Sequence, residues 1–98
     1  MTMHYLTVDG MLSGTGIRDS VSGGYIELCN LGLPSDLKDQ IDQWLIRYEH
    51  AHYAQFVDKD ENEGLDREGL AICRRLQEEL PQSKIEYYSN AEMRKLVI

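Results

Sequence analysis

The sequence predicts an α+β fold, or a small α/β fold, with two main helices packed on a sheet of two or three strands and a short C-terminal helix. Three observations predict it. Two stretches between residues 36 and 80 repeat their apolar residues at helical spacing, short alternating segments flank them, and six of the eight glycines fall within the first 32 residues. At 98 residues, we expect a single domain over residues 1–98.

The glycine-rich first third is expected to consist of short elements joined by turns. His4–Val8 alternates well enough to predict a strand, and Asp9-Gly10 offers a tight turn from which Met11-Leu12 could return as a second strand. Ile17–Ser22 is interpreted as a short helix. Tyr25–Leu28 is interpreted as a brief extended piece that could add a third strand.

The middle of the chain predicts a long helix from Asp36 to about Phe56, with Ser35 as its N-cap. Its apolar stripe follows a 3.6-residue period and consists of Leu37, Ile41, Trp44, Leu45, Tyr48 and His52. Because His52 lies on this stripe, we expect a core histidine bonded to a neighbour rather than a metal ligand.

A charged turn, Asp58–Gly64, is expected to separate this helix from a second one that ends at Pro81. The apolar stripe of the second helix contains Leu65, Gly69, Ile72, Cys73, Leu76 and Leu80. Since Gly69 has no side chain, its position on the stripe predicts that a neighbouring backbone approaches closely there.

The C-terminal segment predicts a strand and then a helix. Lys84 and Glu86 alternate with apolar residues within Ser83–Tyr88, and Ser89 with Glu92 matches a capping box, which predicts a last helix carrying Met93, Leu96 and Val97. Two helices between two strands would allow a parallel pairing. The predicted core consists of Tyr5, Leu6, Val8, Ile41, Trp44, Leu45, Tyr48, Ile72, Leu76, Leu80, Ile85 and Tyr87.

The charge balance excludes several classes of partner. Seventeen acidic and ten basic residues give a net charge of −7, and no basic block favours binding to nucleic acid or to a membrane. No apolar run approaches the roughly 20 residues of a membrane span, and the first residues do not resemble an export signal. We therefore expect a cytoplasmic protein.

The acidity is concentrated in the helical region, where residues 34–82 contain 12 acidic and 6 basic side chains. This is either a solvated surface or a patch that steers a basic partner. Opposite the apolar stripe of the first helix lie Asp36, Asp39, Gln43, Ile46, His50 and Tyr53. Either the glycine-rich segment packs over Ile46 and Tyr53, or these two residues anchor a partner inside an acidic rim.

We take the second interpretation as the candidate binding site and call it the docking face. Its residues are Asp39, Gln43, Ile46, His50 and Tyr53 of the first helix, with Asp58, Asp60 and Glu61 of the charged turn.

No motif predicts catalysis, a metal or a cofactor. Asp58–Gly64 resembles a calcium loop, but Glu63 stands where the EF-hand needs glycine and Gly69 where it needs glutamate. His50 and His52 diverge by about 200° on a helix, which excludes a zinc site formed by that element. Gly14-Thr15-Gly16 lacks the third glycine and the lysine of a nucleotide loop.

Most of the chain contributes to a resemblance. It is carried by Gly-Thr-Gly-Ile-Arg-Asp at 14–19, Gly-Gly-Tyr-Ile at 23–26, Leu-Gly-Leu at 31–33, Trp44-Leu45 through Tyr48-Glu49, Leu-Pro at 80–81 and Tyr-Ser-Asn-Ala-Glu-Met at 88–93. The chain resembles small bacterial proteins. In size, acidity and lack of catalytic residues it is similar to immunity proteins of contact-dependent growth inhibition and related toxin systems. The resemblance implies a non-catalytic protein that binds and neutralises one cognate toxin domain.

Two other functions stay open. One is a small enzyme or ligand-binding domain that uses the loop Gly14–Gly24 with Arg18, Asp19 and Tyr25. The other is an adaptor without activity of its own.

Overall fold

Four short strands and two long helices form the fold, and the predicted α+β class is confirmed in a computed structural model that describes residues 5–12 and 14–96. The elements in chain order are β1 (Tyr5–Val8), β2 (Ile17–Asp19), a 3₁₀ turn (Leu28–Leu31), α1 (Ser35–Tyr53), α2 (Lys59–Glu79), β3 (Lys84–Ser89) and β4 (Arg94–Leu96). In the described part of the chain, neither helix is long and apolar enough to cross a membrane.

The strands form one mixed sheet in the order β2-β1-β3-β4. β1 and β3 run parallel, with Leu6 opposite Ile85 and Val8 opposite Tyr87. The predicted pairing of the two flanking strands is therefore confirmed, and both helices belong to the connection between them. β2 and β4 pair antiparallel at the two edges and bring the strand count to four, slightly above the prediction.

The apolar stripes of α1 and α2 pack together and against the sheet. The buried residues of α1 are Leu37, Ile41, Trp44, Tyr48 and Ala51, and those of α2 are Leu65, Asp66, Gly69, Ile72, Cys73 and Leu76. Trp44 is fully buried, and its indole Nε1 donates a hydrogen bond to the carbonyl of Leu65 at 2.8 Å. A buried indole N–H needs such a partner, so this bond fixes α1 against α2.

Gly69 is a close-packed position, although its neighbour is a side chain and not the backbone that we expected. The ring of Tyr87 in β3 lies directly over it, where a Cβ would collide with the ring atoms. The Tyr87 hydroxyl donates to Oδ1 of the buried Asp66 at 2.6 Å, and Ser89 Oγ donates to Oδ2 at 2.8 Å. The missing side chain at Gly69 thus lets β3 lie close to α2.

The first third differs from the prediction. Ile17–Ser22 does not form a helix, because Ile17–Asp19 is β2, paired with β1. Met11-Leu12 does not form the returning strand either, since the return comes only after Gly16, whose carbonyl accepts a hydrogen bond from the Asp9 amide. Tyr25 adds only an isolated bridge to Arg18. His4, the expected first residue of β1, lies outside the described residues.

The ends of the two helices differ from the predicted ends. The N-cap of α1 is Pro34 rather than Ser35, and no side chain caps it. α1 stops at Tyr53 because Gln55 and Phe56 take positive φ angles, which a continuing helix does not allow. Most of the predicted turn Asp58–Gly64 is the beginning of α2, with Asp58 as its N-cap.

The predicted C-terminal helix is wrong, and β4 takes its place. The expected capping contact does form, since the Glu92 amide donates to Ser89 Oγ at 3.1 Å. Met93 then takes a φ of 57°, and Arg94 pairs back with Ser89, so the chain makes a hairpin. Val97 lies outside the described residues.

Most of the predicted core is confirmed. Tyr5 is the exception, because 45% of its surface is exposed. Leu45 and Leu80 are only partly buried and pack at the rim of the core. Ile17 and Leu33, which the prediction left out, are buried.

Candidate functional site

The α1 part of the docking face is open to solvent. Asp39, Gln43, Ile46, His50 and Tyr53 are all exposed, with 49% of Ile46 and 71% of Tyr53 accessible. The alternative that the glycine-rich segment packs over Ile46 and Tyr53 is therefore wrong. α1 itself is held by the buried Trp44 and Tyr48 on its other side, so the two exposed apolar side chains project from a fixed element.

The second part of the docking face joins the first at the turn between the helices. Asp58 caps α2, with its Oδ1 accepting from the Glu61 amide at 3.1 Å, and Asp60 is exposed in the same first turn. His50 lines a cleft of about 230 Å³ with Asp58 and Glu61. The acidic start of α2 thus continues the surface at the end of α1.

The docking face is a strip along α1 rather than a single pocket. Asp39 precedes Tyr53 by 14 residues, which at 1.5 Å per residue is about 21 Å along the helix axis. Asp39 and Gln43 therefore lie well away from the cleft at the interhelical turn. A ligand that touched the whole face would be the size of a protein surface, because one small molecule cannot span that length.

The sequence reasoning missed Val57, which is strongly exposed and lines the cleft beside His50. It lies in the turn after Phe56, whose carbonyl accepts from Asn62 Nδ2 at 2.8 Å. The available signal was an apolar valine directly before the acidic residues that begin α2. Val57 extends the apolar part of the surface beyond Tyr53 to the beginning of α2.

The charge of this region is largely unbalanced. Between residues 35 and 64 there are eight acidic and three basic side chains. Two ion pairs cross between the helices, Arg47 with Glu68 and Arg75 with Asp36, so Asp36 is engaged with α2. In the described part of the chain, the four carboxylates of the docking face form no ion pair; they are Asp39, Asp58, Asp60 and Glu61.

Residues of the charged turn and His52 take part in other contacts of the fold. Residues 59–64 are helical, so they do not form the loop that a calcium site of the EF-hand type needs. Among residues 5–12 and 14–96 no group of three or more His, Cys, Asp or Glu side chains is placed to hold a metal. His52 bonds a neighbour as expected, with its Nε2 2.9 Å from the Gly10 carbonyl, although its side chain is half-buried and not part of the core.

The structure brings together two of the three residues named for the alternative ligand-binding loop, Arg18 and Tyr25, and gives Asp19 a different role. Arg18 and Tyr25 meet at Asp9, which the sequence reasoning did not single out. Asp19 instead closes a turn, because its Oδ1 accepts from the amides of Val21 and Ser22. Burial, followed by the hydrogen bond to Asp9, raises the pKa of Tyr25 above its ordinary range. The phenol therefore stays protonated and donates to Asp9.

Comparisons of this chain with protein-family models, with curated proteins and with solved structures returned no match.

Proposed function

We propose that this chain is a non-catalytic binding protein of the immunity type, which acts in the bacterial cytoplasm and neutralises a cognate toxin domain by direct contact. The observation that carries the proposal is the exposure of Ile46 and Tyr53 on a rigid, acidic helix face. Large apolar side chains on a purely solvated face gain nothing from being there. As anchors surrounded by polar groups, they match the anatomy of binding hot spots.

The charge of the docking face favours one kind of partner. Its four carboxylates are free of ion pairs within the described residues, and the chain carries a net charge of −7. A basic protein surface complements this potential and would be steered to it from solution. A basic toxin domain, such as one that acts on nucleic acid, is the partner that fits best.

The arrangement of α1 favours tight binding. Trp44 and Tyr48 are buried on the core side of α1 and hold the helix in place. Little conformational freedom is therefore lost when a partner contacts the solvent side. Such preorganisation reduces the entropic penalty of association. Inhibition by this route requires only that the docking face cover part of the toxin.

The test uses Ile46→Asp and Tyr53→Ala, with affinity measured for a toxin domain if one is encoded immediately upstream of this chain. Each anchor can contribute about 2 kcal/mol, so each variant is expected to raise the Kd by about 30-fold without lowering the melting temperature. The matched controls are Val21→Asp and Met93→Ala, which change strongly exposed apolar residues outside the docking face. They are expected to bind like the wild type.

Two further outcomes decide the proposal. The association rate should fall between low and physiological ionic strength, because salt screens the acidic face. If both variants protect cells from the toxin as well as the wild type does, the docking face is wrong. If the wild type neither binds nor protects, the immunity function is wrong.

A further inference from the structure

A second concave site, separate from the docking face, lies on the sheet. The pocket has a volume of about 500 Å³ and is lined by Asp9, Met11, Arg18, Gly23, Tyr25 and Tyr88. Side chains alternate across a strand, and Ile17 and Tyr87 point into the core. Their neighbours Arg18 and Tyr88 therefore lie on the opposite face of the sheet.

Arg18 is held in this pocket by one of its nitrogens only. Asp9 is buried, and its Oδ2 accepts from Arg18 Nε at 2.6 Å. Oδ1 of Asp9 accepts from the Tyr25 hydroxyl at 2.7 Å and from the Met11 amide at 3.3 Å. In the described part of the chain, the two terminal nitrogens of Arg18 have no hydrogen-bond partner, so the end of the guanidinium is available to a ligand.

The pocket offers one more free donor between apolar walls. The Tyr88 hydroxyl, on β3, also makes no hydrogen bond to any residue that the structure describes. The ring of Tyr25 is fixed by Asp9 at one end and by Gly14, where a Cβ would lie 2.6 Å from the ring. Met11 and the two tyrosine rings form surfaces on which a flat apolar group can pack.

We infer that this pocket binds a small monocarboxylate attached to an aromatic ring. The carboxylate accepts hydrogen bonds from the terminal nitrogens of Arg18 and from the Tyr88 hydroxyl, and the ring packs against Tyr25 and Met11. A guanidinium presents paired N–H groups that match the two oxygens of a carboxylate.

The balance of charge favours a monoanion over a phosphate. Asp9 already offsets the charge of Arg18 at 2.6 Å, and the whole chain is acidic. A dianion would be repelled by Asp9 and by the net negative charge of the chain, whereas a single carboxylate can share the guanidinium with Asp9. The attraction then comes mainly from directed hydrogen bonds, so salt should weaken this binding far less than it weakens association at the docking face.

The experiment is an NMR titration of the ¹⁵N-labelled chain with benzoate, with benzamide and inorganic phosphate as comparison ligands. The chemical-shift changes are expected to saturate with increasing benzoate and to be confined to residues 9–11, 18, 23–25 and 88. Benzamide keeps the ring and loses the charge, so it should bind at least about tenfold more weakly. No saturable change with benzoate, an equal response to benzamide, or tighter binding of phosphate would overturn the inference.

Two variants separate a ligand site from a structural contact. Tyr88→Phe removes a hydroxyl without a protein partner, so it should leave the melting temperature unchanged and weaken benzoate at least about tenfold. Tyr5→Phe is the matched control, since Tyr5 is an exposed tyrosine on β1 outside the pocket lining; it should bind benzoate like the wild type. Arg18→Lys should weaken benzoate as well, because lysine lacks the paired donors. Wild-type affinity in Tyr88→Phe would show that the carboxylate does not use this hydroxyl and would refute the proposed pose.

Discussion

Replacing Gly69 by alanine is expected to destabilise the protein, even though alanine is the better helix former. Gly69 lies inside α2, where alanine would gain about 1 kcal/mol in intrinsic helix propensity. Its new Cβ would stand closer than 3.0 Å to two ring carbons and the hydroxyl oxygen of Tyr87. The sign of the effect therefore depends on whether Tyr87 can move.

Tyr87 has little room to yield. It is fully buried, its ring packs 6.2 Å from that of Trp44, and its hydroxyl bonds Asp66 at 2.6 Å. Overpacking a well-filled core costs about 1–3 kcal/mol, and losing a hydrogen bond to the buried Asp66 would add about 1–3 kcal/mol. After the propensity gain of about 1 kcal/mol is subtracted, we expect Gly69→Ala to lower the free energy of unfolding by about 1–5 kcal/mol.

Gly64→Ala supplies the matched control, because it lies in the same helix and a Cβ there meets nothing within 4 Å. Only the propensity gain applies, so this variant should be more stable by up to about 1 kcal/mol. Urea unfolding of both variants measures the difference between their stabilities, which should be about 2–6 kcal/mol. Equal stability of the two variants would refute the close packing of α2 on β3.

Two further predictions concern buried titratable groups. Burial raises the pKa of Tyr48 and that of Tyr87 above the ordinary value of about 10. As the pH rises, these tyrosines lose their protons in the unfolded chain before they do so in the native protein. The free energy of unfolding should therefore be constant up to about pH 10 and fall above it by about 1.4 kcal/mol per pH unit for each tyrosine. Urea unfolding from pH 8 to 11 measures this, and an unchanged free energy of unfolding at pH 11 would contradict it. Burial also raises the pKa of the Cys73 thiol to about 12. A thiol reagent should therefore label only the exposed Cys29 in the native protein, and both cysteines in urea. Rapid labelling of a Cys29→Ser variant without denaturant would contradict this, because it would show that Cys73 is accessible.

The helices and the central strand pair could be predicted because their signals are local and repeated. The stripe around Trp44 recurs over about four turns, and β3 alternates over six residues, with Ile85 and Tyr87 buried. β2 has only three residues. It is a strand because β1 pairs with it, and no window around Ile17 contains that information.

The C-terminal error has a different cause. Ser89 and Glu92 make the contact that a capping box predicts, but the same contact also fits a tight turn. The structure of the segment was decided by Met93 in a left-handed conformation and by the pairing of β4 with β3. A local motif of four residues could not distinguish a helix start from a hairpin turn.

The two candidate sites differed in how far the sequence revealed them. Most of the docking face lies on one helix, so projecting α1 placed Ile46 and Tyr53 together opposite the apolar stripe, although it did not decide whether they are covered. Val57 was missed because it belongs to a turn. The pocket on the sheet draws Asp9, Arg18 and Tyr88 from three distant segments. Only the register of the strands brings these residues together, and that register could not be predicted from the sequence.

The parallel pairing of β1 with β3 has a consequence for the order in which the protein folds. Leu6 lies opposite Ile85, 79 positions further along the chain. During synthesis, α1 and α2 can form and pack through contacts between neighbouring segments, while the edge of β1 that pairs with β3 must wait for a strand made 79 positions later. Pairing across so long a separation slows folding. A nascent chain that stops before β3 would therefore hold a helical hairpin and a β1 strand with one unpaired edge, and such edges are prone to aggregation.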